Sequence, residues 1–239
     1  MTARDARSYQ AQTRQELQAG IKAELPIAVG VVPFGMIFGV LAVGAGIPPL
    51  LAQSMSFIVF AGSAQFIGAQ LIGMATPAGI VLLTTFIVNL RHLLYSASMA
   101  PYLRGLPLPW RGSLAYLLTD EAYAVVILHF ESGRDHPAAR HWFLLGAGMT
   151  LWTFWQASTA VGVFLGAQVP AAWALDFTLA LTFIGLVVPA LKYRADVAAA
   201  TVAGAVALLA AGLPYQLGLL LAALTGITAG FAVERLARN

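Results

Sequence analysis

The sequence predicts an all-α, polytopic membrane protein of about eight transmembrane helices, with both termini in the cytoplasm. Three observations carry this expectation. Hydrophobic residues make up 59% of the 239 residues and charged residues only 10%, with a mean hydropathy of +0.80, whereas a soluble domain carries about 25% charged residues. The apolar residues gather into stretches of about 20, the length of helix that spans about 30 Å of hydrocarbon. Basic residues sit between these stretches and mostly on alternate connections, as topology determinants do.

The chain opens with a polar tail, residues 1–24. It lacks the apolar core of a cleavable signal peptide, so the first apolar segment is expected to act as the targeting signal. Leu17, Ile21 and Leu25 recur every fourth residue, with Arg14, Gln15, Glu16, Gln18, Lys22 and Glu24 on other faces. That spacing predicts a short interfacial helix leading into the membrane, with a frayed tail as the alternative. Residues 25–239 are expected to form a single transmembrane domain. Its spans are read as 25–46, 50–74, 77–99, 113–131, 141–166, 172–190, 196–212 and 214–233, with joints marked by breakers such as Gly46, Pro48, Pro49, Pro77, Pro107, Pro137, Pro170 and Pro214.

With the N-terminus inside, Arg4, Arg7, Arg14, Lys22, Arg134, Arg140, Lys192, Arg194, Arg235 and Arg238 fall on the cytoplasmic side. Only Arg104 and Arg111, in the 100–112 loop, fall outside. If the second segment re-entered the membrane instead of crossing it, those arginines would move inside and every later span would invert.

Spans one and two are expected to be broken. The first contains Pro33-Phe34-Gly35 and Gly39, where the proline lacks an amide and the glycines permit bending or close packing. The second contains Phe60-Ala61-Gly62-Ser63-Ala64-Gln65-Phe66-Ile67-Gly68, a small-residue patch with a buried amide between phenylalanines. A half-helix starting there would aim free N–H groups and a positive dipole end at an anion such as a carboxylate. The competing reading is that Gly62, Ser63, Gly68 and Ala69 let helices pack closely.

Spans three and four carry charge where lipid-facing helices carry none. Asn89, Leu90, Arg91 and His92 lie deep in one apolar stretch, and Asp120 and Glu121 lie in the next. A charge at mid-bilayer costs about 3 kcal/mol on insertion scales, so such residues face the protein interior or a wet cavity and mark transport paths. Later in the chain, Asp176 follows Trp173 near the start of a span and reads as a helix cap. Trp142, Phe143, Trp152, Phe154 and Trp155 on the fifth span are candidates for a pocket wall or an interface belt, with Gln156 on the same face as Trp152. Phe66-Ile67-Gly68 and Phe183-Ile184-Gly185 hint at a four-plus-four repeat.

Several classes are disfavoured. There is no cysteine, hence no disulfide, zinc-thiolate site or thiol nucleophile. The pI of about 9.4 comes from scattered residues and does not call for nucleic acid. Neither H-E-x-x-H, G-x-S-x-G nor an ATP-binding Walker sequence occurs, so the chain does not read as an enzyme, and nothing in it asks for a cofactor or metal.

Phe60-Ala-Gly-Ser-Ala-Gln-Phe66, Asn89-Leu-Arg-His92 with Tyr95, and Thr119-Asp-Glu121, in this order inside apolar spans, resemble the AzlC family of branched-chain amino acid permeases. The likeness covers residues 25–235. It implies an exporter of branched-chain and related amino acids in a prokaryotic cytoplasmic (inner) membrane, working with a small AzlD-type membrane subunit. Association into a homo-oligomer is left open.

Against a zwitterionic substrate, Gly62, Ser63, Gln65, Asn89, Arg91 and Asp120 are the expected binding residues. Arg91 offers a two-pronged contact to a carboxylate, with a structural ion pair as the alternative. Asp120 and Glu121 are adjacent, so they resist joint ionisation and point about 100° apart, which lets one pair with Arg91 while the other handles a proton. Glu121 and His92 are therefore the expected proton-coupling or gating groups. A channel or a non-transporting scaffold subunit is the alternative function.

Overall fold

The computed structural model describes residues 3–133, 135–166, 191, 193–213 and 217–238. The sixth span, Asp176 and the Phe183-Ile184-Gly185 echo lie outside the described residues. All regular elements among the described residues are helices. The chain divides into two compact units, Met1–Gln70 with Thr85–Val169, and Leu71–Thr84 with Pro170–Asn239.

The first unit is built on two long helices. Helix α1, Ala3–Gly44, runs unbroken for 42 residues through Pro26 and Pro33. Neither a separate interfacial helix nor a break in span one is present. Proline's fixed φ is helical, so each ring costs one backbone bond without forcing the helix to end. The helix ends where Gly46 turns to φ +81° and the Ile47 and Gly46 amides return to Ala42 and Val43.

The partner of α1 is the helix Arg140–Gly166, and small residues set their separation. A Cβ on Gly39 would stand 2.5 Å from the Thr159 carbonyl oxygen, and Cβ atoms on Gly20, Gly35, Gly146 and Gly162 would strike Phe143, Ser158, Leu17 and Met36. Gly35 and Gly39 of span one are thus contact points and not hinges, which is the close-packing alternative. Matching positions climb together along both helices, so the two run parallel.

Burial on α1 is the reverse of what the tail's apolar stripe suggested. Glu16, Gly20, Glu24 and Ala28, four residues apart, form the buried ridge, while Ile21 and Leu25 are 39% and 43% exposed. In lipid the apolar stripe belongs to the surface, and small or polar residues pack inward.

Between these helices the chain makes two half-deep hairpins and one crossing. The second segment splits into α2, Pro49–Val59, and α3, Gly62–Gly73, at Phe60, which adopts φ 39°, ψ 49°. Left-handed geometry is costly for a side chain this large and stops the helix. Residues of both halves flank one stretch of the Arg140–Gly166 helix: Gln53 reaches Gln156, Ser56 reaches Thr159, and Gln65 reaches Trp155. Met55 also touches the Gly68 position. The segment therefore turns back at Phe60-Ala61.

The third segment is α4, Ala78–Asn89, and α5, Arg91–Leu103, interrupted at Leu90. Together they are long and apolar enough to cross a membrane. The fourth segment is α6, Leu108–Tyr116, and α7, Asp120–Glu131, after which α8 is the Arg140–Gly166 helix. Trp110, early in α6, packs on His141 at 5.2 Å, and Tyr116, at its end, accepts from Trp152 Nε1 at 2.9 Å. Helix α6 thus runs along α8 in its own direction. Helix α7 returns, since His129 near its end stacks on Phe143 at 3.8 Å. At 9 and 12 residues the two are about 14 and 18 Å long, half a bilayer each.

Spans two and four are accordingly re-entrant hairpins, which corrects their reading as complete crossings. Apolar length alone does not distinguish a helix that crosses from two half-helices that fold back. The correction also moves a loop. Arg140 lies 5.4 Å above the Tyr102 ring, and Tyr102 packs 5.2 Å from Phe130, so the α5–α6 connection shares an end with the α7–α8 connection. Arg104 and Arg111 join Arg140 there. The positive-inside pattern loses its exceptions, and that end is expected to face the cytoplasm.

Because the chain has no native cysteine, this topology is directly testable. Gly105→Cys and Ser132→Cys are expected to react with a membrane-impermeant maleimide from the same side, and Pro48→Cys from the other. Opposite-side labelling of residues 105 and 132 would restore the eight-crossing arrangement.

In the second unit, α9, Arg194–Leu209, and α10, Leu217–Arg238, pack antiparallel. A Cβ on Gly226 would meet Ala203, and one on Gly230 would meet Ala199.

Candidate functional site

The hairpin turns place the starts of two half-helices, α3 and α7, against the middle of the α4–α5 crossing at Arg91. Ser63 is the second residue of α3, Arg91 the first of α5 and Asp120 the first of α7. Arg91 bridges all three: its Nη2 donates to Ser63 Oγ at 2.7 Å and its Nη1 pairs with an Asp120 carboxylate oxygen. Each helix start carries partial positive charge on its unpaired amides. The cluster therefore holds one guanidinium, one carboxylate and converging dipole ends.

The sequence accounts for each break. Thr119 takes an extended conformation and its hydroxyl accepts from the Ala122 amide at 3.4 Å, the N-cap role that threonine fills. Asp120 and Glu121 follow as acidic first-turn residues, favoured at the positive end. In α3, Gln65 folds back so that its Oε1 accepts from the Ala61 amide at 3.2 Å, and Trp155 Nε1 donates to the same oxygen at 3.2 Å. Gly62 lies under Trp155, where a Cβ would stand 3.1 Å from the ring.

The remaining polar residues have defined places. The Tyr95 hydroxyl lies beside Asp120, and the Tyr95 ring stacks on Tyr123 at 4.6 Å. His92 turns away, its Nδ1 at 3.1 Å from the Asn89 carbonyl. The Thr119 hydroxyl and the Glu121 backbone amide lie beside the Glu121 carboxylate, which also feels the charges of Asp120 and Arg91. Arg91 and Asp120 are 30% and 37% exposed, which leaves the pair open to a ligand.

Four atoms on the helix ends that meet here are buried without a hydrogen-bond partner: Arg91 Nε and Asp120 Oδ1 within the pair, Gln65 Nε2 in the first turn of α3 and Asn89 Oδ1 at the end of α4. Two are donors and two are acceptors. Buried polar groups are ordinarily satisfied, so these four atoms stand out from the rest of the helix ends. A cleft of about 510 Å³ between α5, α6 and α8 opens at Arg104 and Arg111 and reaches Ser96, on the helix that Arg91 begins.

Of the expected site residues, Ser63, Arg91 and Asp120 are joined by direct contacts, Gly62 and Gln65 lie against Trp155, and His92 meets the Asn89 carbonyl. Trp152 and Gln156 sit beside the α2 hairpin, Gln156 donating to the Ser56 carbonyl at 3.1 Å. The buried layer of Gln53, Ser56 and Thr159 was not anticipated. Its only trace in the sequence is polar residues isolated among apolar ones.

Residues 26–169, more than half the chain, match the protein family described as AzlC protein. The chain belongs to the AzlC family. An uncharacterized membrane protein of Archaeoglobus fulgidus is 33% identical over 79% of this chain and 82% of its own length. The Escherichia coli inner membrane protein YgaZ is 25% identical over 73% of each chain. The Bacillus subtilis branched-chain amino acid transport protein AzlC is 28% identical over 67% of this chain and 62% of its own. No solved structure matches. These relatives are membrane proteins, and so is this AzlC-family chain.

Proposed function

We propose that this chain is a secondary carrier that exports branched-chain and related apolar amino acids, assisted by a small AzlD-type membrane subunit. The observation that carries the reading is the set of two unpartnered donors and two unpartnered acceptors on residues of α3, α7 and the middle of the α4–α5 crossing, where Arg91 joins the starts of α3 and α7. A zwitterion fits that set: its carboxylate takes Arg91 Nε and Gln65 Nε2 near the helix dipole ends, and its ammonium takes Asp120 Oδ1 and Asn89 Oδ1. Occupancy would compete with the Arg91–Asp120 pair, so binding and release would rearrange the contacts that hold the hairpin tips together. Half-helices meeting at a binding site are the arrangement through which many carriers alternate access. The name of the Bacillus subtilis relative supports the substrate class.

Counterflow tests the carrier reading. Proteoliposomes loaded with unlabelled leucine are expected to accumulate external labelled leucine transiently, and valine or isoleucine inside is expected to substitute. Flux that is insensitive to internal leucine would identify a channel, and no flux with or without a co-expressed small subunit would identify a scaffold. Labelled leucine efflux from cells is expected to rise only when that subunit is present.

A further inference from the structure

Helix α1 carries a carboxylate that the proposed substrate site does not use. Glu24 is 0% exposed, and neither of its side-chain oxygens has a hydrogen-bond partner. Burial without a donor or counter-ion penalises the charged form of a carboxylate, so this group is placed to take up and give up a proton as its surroundings change. Its place in the register explains what it faces. Helices α1 and α7 run antiparallel, with His129 bonded to Glu16 at 3.0 Å. Moving two turns forward along α1 and two turns back along α7 brings Glu24 level with Glu121, and the two carboxyl groups interact electrostatically.

The other elements packed on α1 supply no titratable group at this level. Helix α2 has none, and the only charged or titratable residues of α8 are Arg140 and His141 at its start. From α7, His129 is occupied by Glu16, and Asp120 by Arg91. Tyr123 of α7 donates to Ser98 and Glu131 ends that helix, and among the described residues Glu121 is the charged group that acts on Glu24.

We propose that Glu24 is the proton-carrying group of this transporter, buried at the level of Glu121, one residue from the substrate-binding Asp120. The inference rests on the carrier reading above and adds a coupling residue outside the substrate site. In the enclosed state seen here Glu24 holds one proton. When rearrangement of the hairpin tips admits water, that proton passes to the aqueous side then open, and Glu24 takes another from the opposite side in the alternate state. Each return of the empty carrier thus moves a proton against the direction of the amino acid.

The test separates coupling from substrate binding. Wild-type protein in proteoliposomes is expected to show both leucine counterflow and leucine accumulation driven by a pH gradient. Glu24→Gln is expected to keep counterflow within about threefold and to lose pH-driven accumulation, and Glu24→Asp is expected to regain it. Unchanged pH-driven accumulation in Glu24→Gln would overturn the proposal, as would wild-type accumulation that follows a sodium gradient instead. Absence of counterflow in the wild type would instead remove the carrier reading itself. If the Glu24 variants do not insert, leucine addition to lightly buffered, purified wild-type protein decides, because a coupled carrier changes its bound protons on binding substrate and an uncoupled one does not.

Discussion

Arg91→Ala is expected to reduce leucine efflux by at least about a hundredfold while the protein still reaches the membrane. The guanidinium performs two tasks that no other described residue duplicates. It joins Ser63 of α3 to Asp120 of α7, and it leaves Nε free for an incoming carboxylate. Truncation leaves Asp120 without its counter-ion and unties the starts of α3 and α7 from the α4–α5 helix. Arg91→Lys is expected to recover little, since a single ammonium cannot hold two partners in a planar fork and present a further donor. Asp120→Asn keeps the volume but removes the charge that balances Arg91 and receives an ammonium, and a comparable loss is expected. Efflux of labelled leucine at matched membrane abundance is the measurement. Wild-type rates in Arg91→Ala or Asp120→Asn would mean that the cluster is structural and the substrate binds elsewhere.

Gly162→Leu is expected to remove the folded protein altogether. The α1–α8 pair is the scaffold on which both hairpins are mounted, and its helices touch backbone to backbone. A Cβ at residue 162 would strike the Met36 carbonyl group, and one at residue 39 would lie 2.5 Å from both Thr159 O and Val163 N. Overpacking against a side chain costs about 1–3 kcal/mol because the side chain can turn aside. A backbone carbonyl cannot, so the helices must separate along their length and forfeit the close contacts that hold membrane helices together. Gly30→Leu is the control, because nothing lies within 4 Å of its Cβ position. Monodisperse yield and thermal stability in detergent should collapse for the first variant and stay near wild type for the second. Equal behaviour of the two would mean that α1 and α8 do not pack at Gly162.

Some of this architecture is legible in the residues. The Phe60-Ala61-Gly62-Ser63 run announces a broken segment, because small residues around a polar amide are poor lipid-facing helix, and the break is found there. The charges at Arg91 and Asp120 announce an interior cluster, because lipid rejects both. Thr119-Asp120-Glu121 also spells a helix start: an N-cap hydroxyl followed by acidic first-turn residues. Taken at its word, it would have divided span four. The two arginines on the wrong side of the 100–112 loop were a second sign of the same fact. A topology that violates the positive-inside pattern at one loop is repaired by turning neighbouring spans into hairpins.

Other features were not legible for a physical reason. Every fourth residue of the tail's exposed stripe is apolar and every fourth of its buried ridge is Glu, Gly or Ala. Read by the rules of water, the helix is inside out. Only the neighbour it packs against decides which face is interior, and that neighbour lies more than a hundred residues away in α8.

Sequence by itself determined that this chain is a helical membrane protein, where its second segment breaks, and which charges must stay away from lipid, because each follows from transfer free energies and local backbone preference. Tertiary structure alone decided that two segments turn back instead of crossing, that Arg91 reaches both Ser63 and Asp120, and that Glu24 lies buried opposite Glu121. Those are matters of which helices meet, and a contact between distant residues leaves no mark in the local spacing of either.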